Sequence, residues 1–171
     1  MPGLRATLAA SVVGRLPIGI ATLAILLFLQ ERTASLAVAG AAAAFYVLGL
    51  ATVAPFLGRL IDRYGPRPVL AAGTIVYPGM LVALVALVLS GAGNEWIALA
   101  ALAAGASFPP IPICMRALYP RLLPAVGLLQ TAYSMDAALV EAAFILGPAL
   151  VALIVAAGHA FGAVLLAAAC A

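Results

Sequence analysis

The sequence predicts an all-α membrane protein: a polytopic helical bundle of five complete transmembrane helices and part of a sixth. Three observations carry this. Hydrophobic residues make up 67% of the 171 and charged residues only 8%, against roughly 45–50% and ~25% in a soluble domain. The apolar residues fall in continuous runs of 15 to 24, whereas barrel strands alternate over ~10 residues. Nearly all the charge sits in the short breaks between runs. A globule of this size leaves too wide a surface facing water for such a composition. An ordinary soluble enzyme, a disordered chain and a disulfide scaffold are thereby excluded. At ~20 apolar residues per span, about 115 apolar side chains suffice for five or six crossings.

The first run covers about 16–30 and breaks at Glu31-Arg32-Thr33. Arg5 and the stretch after it have the look of a signal peptide, but Arg15-Leu16-Pro17 interrupts the apolar run, so this segment is expected to be retained. The second run spans about 34–57 and ends at Gly58-Arg59. The third, about 68–90, closes on Gly91-Ala92-Gly93-Asn94-Glu95. The fourth, about 96–115, contains Phe108-Pro109-Pro110-Ile111-Pro112, where three prolines in four positions must break helical hydrogen bonding. Residues 117–133 mix prolines with Arg121 and Gln130 and read as an interfacial connector. The fifth run is about 135–157, and Gly158-His159 ends it. The sixth, 160–171, gives about 18 Å of helix against ~30 Å of hydrocarbon. It is expected to be an incomplete helix of a truncated chain.

Charge sets the orientation. With a cytoplasmic N-terminus, inside segments hold Arg5, Arg15, Arg59, Arg63, Arg67, Arg116 and Arg121, while outside segments hold Arg32 alone. That positive-inside bias places the chain in the cell membrane as a multi-pass protein. The arginines are scattered between apolar runs, so the net charge of +3 marks orientation rather than a nucleic-acid face. The bilayer is the expected partner, and nucleic acid is not. Small residues at 40–44 and 100–106 allow close helix contact. Cys114 and Cys170 lie in apolar stretches without metal-ligand spacing and read as inert thiols.

Ionisable groups inside a membrane are costly, so Asp136 and Glu141 are the candidate proton or cavity residues. Asp136 stands near the start of the fifth run, where an interfacial position is the leading reading. Glu141 lies deeper, and a five-residue offset turns the two acids about 140° apart. Glu141 reads either as a proton-binding site facing a cavity or as a structural acid bonded to a neighbouring helix. Arg15 at the start of the first run reads as a snorkelling arginine. Tyr46, Tyr77 and Tyr133 are possible polar contacts, and His159 reads as a solvated loop residue. No nucleophile–base pair, phosphate loop or metal cluster is present, and neither enzymatic activity nor a cofactor is expected.

The connector between the second and third runs reads Gly58-Arg59-Leu60-Ile61-Asp62-Arg63-Tyr64-Gly65-Pro66-Arg67-Pro68. Gly58 and Gly65 allow a tight turn. Asp62 is able to accept hydrogen bonds from a helix N-terminus, and Arg63 and Arg67 would share a face if a helical turn formed there. The pattern G-x-L-x-D-R-x-G-x-R, from Gly58, Leu60, Asp62, Arg63, Gly65 and Arg67, resembles the loop between the second and third helices of the major facilitator superfamily. The resemblance extends along the chain through Arg116-Ala117-Leu118-Tyr119-Pro120-Arg121 and Leu146-Gly147-Pro148.

It implies two six-helix halves with substrate at the midplane between them, this chain being the N-terminal half. It also implies that Asp62 joins a charge-relay and helix-capping contact, with Arg116 as candidate partner alongside a helix of the second half. Pro66 departs from a position that is often basic, leaving Arg67 as the nearer match. Gly147-Pro148 in the fifth run matches the centre of a glycine-rich antiporter motif, but Ala143 and Val151-Ala152 replace its flanking glycines. A plain proline kink is the favoured reading there. The expected function is transport of an unidentified small molecule, by proton-coupled efflux or exchange. It would need a C-terminal six-helix half or a second copy of the chain. A non-transporting membrane scaffold or receptor-like protein and a homodimeric half-transporter remain the alternatives.

Overall fold

The computed structural model describes residues 13–122 and 126–171. The expectations placed on Arg5 and on the Arg121 side chain lie outside the described residues. Seven helices are described: α1 (Leu16–Thr33), α2 (Leu36–Tyr64), α3 (Pro66–Leu89), α4 (Asn94–Ala106), α5 (Ile111–Leu122), α6 (Val126–Ala156) and α7 (Ala160–Ala169). Four of them are long and apolar enough to cross a membrane unaided, and α4 with α5 supplies a fifth crossing over Asn94–Pro120. The chain is an all-helical, multi-pass membrane bundle.

Local chemistry explains each helix boundary. The α1 helix ends where Ala34 takes a left-handed φ of 51° and donates its N–H to the Gln30 carbonyl. Ser35 then opens α2, its side chain accepting from the Val38 N–H at 3.3 Å. At Gly65 φ is 84°, a conformation open to glycine at little cost. Pro66 begins α3 in a position where its missing N–H is no loss. The proline cluster breaks the fourth span as expected: α4 stops at Ala106, and the chain resumes as α5 at Ile111.

Two helices reach beyond the apolar runs that mark them. The α2 helix continues seven residues past 57, so Gly58–Tyr64 form its last two turns. At ~1.5 Å per residue its 29 residues overhang the ~30 Å hydrocarbon layer, and charged residues tolerate helix outside lipid. Gly65 then separates Arg63 from Arg67, which therefore do not share a helical face. The expected connector at 117–133 contracts likewise, because α5 runs to Leu122 and α6 starts at Val126. The fifth helix thus begins nine residues before 135.

The core is centred on α1. Ile20, Ala24, Ile25, Phe28 and Leu29 are buried against Ala39, Ala42 and Tyr46 of α2, Leu81 and Leu84 of α3, and Ala163 and Val164 of α7. Glycines fix the two tightest crossings. A Cβ on Gly49 would collide with the Leu102 carbonyl of α4, and one on Gly105 with the Tyr46 carbonyl of α2. Gly19 of α1 meets Ala143 and Gly147 of α6 in the same way. The outer faces are apolar (Ile75 is 75% exposed and Leu153 69%), as a lipid-facing surface requires.

Two of the candidate tyrosines pair inside the core: the Tyr46 and Tyr77 hydroxyls lie 3.0 Å apart. Phe108 meets Tyr77 edge-on, with ring centroids 5.2 Å apart. Interhelical hydrogen bonds of this kind contribute about 0.6 kcal/mol on average in a membrane protein. A double-mutant cycle of Tyr46→Phe and Tyr77→Phe, read by unfolding in mixed micelles, is expected to return a coupling of that size.

Candidate functional site

The α1, α5 and α6 helices converge on one carboxylate. Asp136 is fully buried, ten residues and about 15 Å into α6. Its Oδ1 accepts from Arg15 Nη2 and, at 3.1 Å, from the Tyr119 hydroxyl. Its Oδ2 accepts from Arg116 Nε at 3.0 Å. Helix geometry accounts for the meeting. Gly19 sits against Ala143 and Gly147, which brings Arg15 near the level of Glu141. Side chains lean toward the helix N-terminus, so the Arg15 guanidinium hangs back about a turn toward Asp136. Arg116 and Tyr119, three apart on α5, share a face. Tyr133 closes the side, its ring centroid 5.8 Å from that of Tyr119.

The two guanidiniums differ in setting. Arg15 is fully buried, and among the described residues its Nε and Nη1 have no hydrogen-bond partner. The Arg116 side chain is 57% exposed. Charge in a low-dielectric interior interacts far more strongly than at a surface, so the Arg15–Asp136 pair dominates the electrostatics of this region. Two cations face one anion, leaving one positive charge uncompensated within the cluster.

The placement differs from the sequence reading at three points. Arg15 does not snorkel; it is enclosed. Asp136 is enclosed by protein, ten residues into α6 rather than near the start of the helix. Arg116 bonds Asp136, while Asp62 stands exposed on the last turn of α2. Among the described residues, no hydrogen bond or ion pair engages Asp62. Asp62→Asn is therefore expected to change the stability of this chain by less than ~0.5 kcal/mol, as measured by unfolding in micelles.

The other motif positions line the same end of the bundle. Arg59 lies over Phe56 at 6.0 Å and Arg63 over Tyr64 at 5.4 Å. Gly58 and Leu60 belong to α2, Gly65 to the turn and Arg67 to α3. Gly147 is buried at the α1 crossing, with Pro148 beside it inside α6. Glu141 is exposed, as its offset from Asp136 predicts, and stands at the middle of the Gly127–Ala156 span. Cys114 and Cys170 are both free thiols.

Sequence reasoning missed the pairing of Arg15 with Asp136 and the role of Tyr119. One signal was present: an arginine and an aspartate, each costly alone within a span, offset each other if paired.

A family model described as Major Facilitator Superfamily matches residues 7–171 of the chain. No curated protein and no solved structure matches it.

Proposed function

Because the chain belongs to the Major Facilitator Superfamily, a family of membrane transporters rather than enzymes, we propose that it forms one bundle of a proton-coupled secondary transporter. That transporter exports or exchanges a small molecule across the plasma membrane, with the N-terminus of this chain in the cytoplasm. The supporting observation is the buried Asp136 held by Arg15, Arg116 and Tyr119 at the junction of three helices. Ionisable groups enclosed within a membrane bundle mark proton and substrate pathways by default. A proton added to an Asp136 oxygen removes its negative charge and weakens its hold on both arginines. The α1, α5 and α6 helices are then freer to shift, which is the local event a rocking cycle needs.

Glu141 supports the same reading. Facing acyl chains at midspan, an acid costs about 2.5–3.5 kcal/mol on insertion scales. A water-lined cavity shared with a second bundle removes that cost. Asp62, exposed at the end of α2, is then available to a helix of that second bundle.

Reconstitution tests the proposal. The chain is placed in liposomes loaded with a pH-sensitive dye, alone and fused to a C-terminal six-helix half of the family. Substrate-dependent proton flux is expected from the fused form and not from the chain alone, with Glu141→Gln reducing it at least tenfold. Absence of flux from the fused protein across a broad panel of small molecules defeats the reading and favours a scaffold.

A further inference from the structure

An apolar groove lies one turn from the Arg116 end of the cluster. It has a volume of about 200 Å³ and is lined by Ile18 of α1, Leu50 and Ala54 of α2, and Phe108, Pro112 and Ile113 at the broken fourth span. Pro112 and Ile113 precede Arg116 by four and three residues, so all three share one face of α5. A helical side chain leans over the turn N-terminal to its own Cα, and for Arg116 that is the turn whose Pro112 and Ile113 line the groove. Arg116 spends only Nε on Asp136, and its side chain is 57% exposed. Among the described residues the rest of its donor fork has no partner, which leaves it open to a ligand.

Charge decides which ligand. Arg15 and Arg116 together carry one more positive charge than Asp136 balances. Among the described residues, Arg15 Nε and Nη1 are buried without partners, so the excess charge is not offset there. While ionised and held, Asp136 has nothing to offer an organic cation, since both its oxygens already accept hydrogen bonds from Arg15 and from donors on α5. A carboxylate, by contrast, accepts from a guanidinium at two points. Glu141, the nearest other acid on α6, points about 140° away from Asp136.

We infer that the bundle recognises an amphipathic organic anion, with its apolar body in the groove formed by α1, α2 and the fourth-span break and its carboxylate on Arg116. The inference rests on the transporter reading and names its substrate class. The groove-lining Pro112 and Arg116 stand about one helical turn, ~5.4 Å, apart along α5, which suits a ring joined to a carboxylate by a short alkyl spacer.

The test is calorimetric binding to the full chain in phosphatidylcholine nanodiscs, with empty discs as background. The probes are phenylbutyrate, phenylbutylammonium and phenylbutanol, matched in shape and different in charge. Phenylbutyrate is expected to bind roughly tenfold tighter than either of the others. Arg116→Gln is expected to abolish that preference while leaving phenylbutanol unchanged. Ala54→Phe, which fills the groove, should weaken all three. Equal binding of the ammonium or the alcohol, a preference that survives Arg116→Gln, or no binding of any probe overturns the inference. Anion-selective binding by the chain, with no anion-driven flux from the fused form in liposomes, defeats the transporter reading alone. Flux of a cation or neutral compound without anion preference defeats the substrate class alone.

Discussion

Asp136→Ala is expected to destabilise the bundle by about 3–5 kcal/mol, the range seen when one partner of a buried ion pair is removed. The loss is large because Arg15 stays behind, fully buried and with no acid left to face. Arg116→Ala should cost under ~1 kcal/mol, since its side chain is 57% exposed and water screens and resolvates it. The paired change Arg15→Met with Asp136→Leu should recover most of the loss, because a well-packed apolar pair of similar volume often matches a buried ion pair. Reversible unfolding in mixed micelles, followed by helical circular dichroism, reads all four proteins. A single Asp136→Ala loss below 1 kcal/mol would mean that the pair is open to water.

Gly105→Val is expected to cost about 3 kcal/mol or more, at the upper end for overpacked cores. A Cβ at Gly105 meets the Tyr46 carbonyl, and one at Gly49 meets the Leu102 carbonyl. Both obstacles are backbone, so no side chain can rotate aside. The α2 and α4 helices must separate, taking the Tyr46–Tyr77 hydrogen bond with them. Gly40→Val is the control: it lies on the same helix as Gly49, and a Cβ there meets nothing within 4 Å. Its effect should stay within ~0.5 kcal/mol. The same unfolding assay separates the two.

The number and order of spans were legible because lipid forces each crossing to be a long apolar helix that satisfies its own amides. Helix ends were less so. Hydropathy marks where hydrocarbon stops, while a helix continues into water until a glycine such as Gly65 turns it or another signal ends it. That difference hid the early start of α6. The proline break at 107–110 was legible from residue type alone, since proline lacks the N–H that a helix needs.

Most of the site was not. Arg15 and Asp136 are 121 residues apart, and nothing local to either reports the other. Their meeting depends on the Gly19–Gly147 contact, which sets the relative height of two helices. The small-residue spacings that allow such contacts recur throughout an alanine-rich chain, so sequence alone does not single out the one that matters. The motif around Asp62 was the clearest family signal, yet the charged network of this bundle forms around a different acid.

The central claim is that Asp136 carries protons as well as holding helices together. Proton flux in dye-loaded liposomes, comparing the fused wild type with its Arg15→Met/Asp136→Leu variant, separates the two roles. The paired variant is expected to keep the bundle folded while it removes the cluster's carboxylate together with its buried partner Arg15. Substrate-driven proton movement is predicted to fall to the level of empty liposomes while helical content and melting remain near wild type. Wild-type flux from the folded variant would contradict the claim and reduce Asp136 to a structural tie.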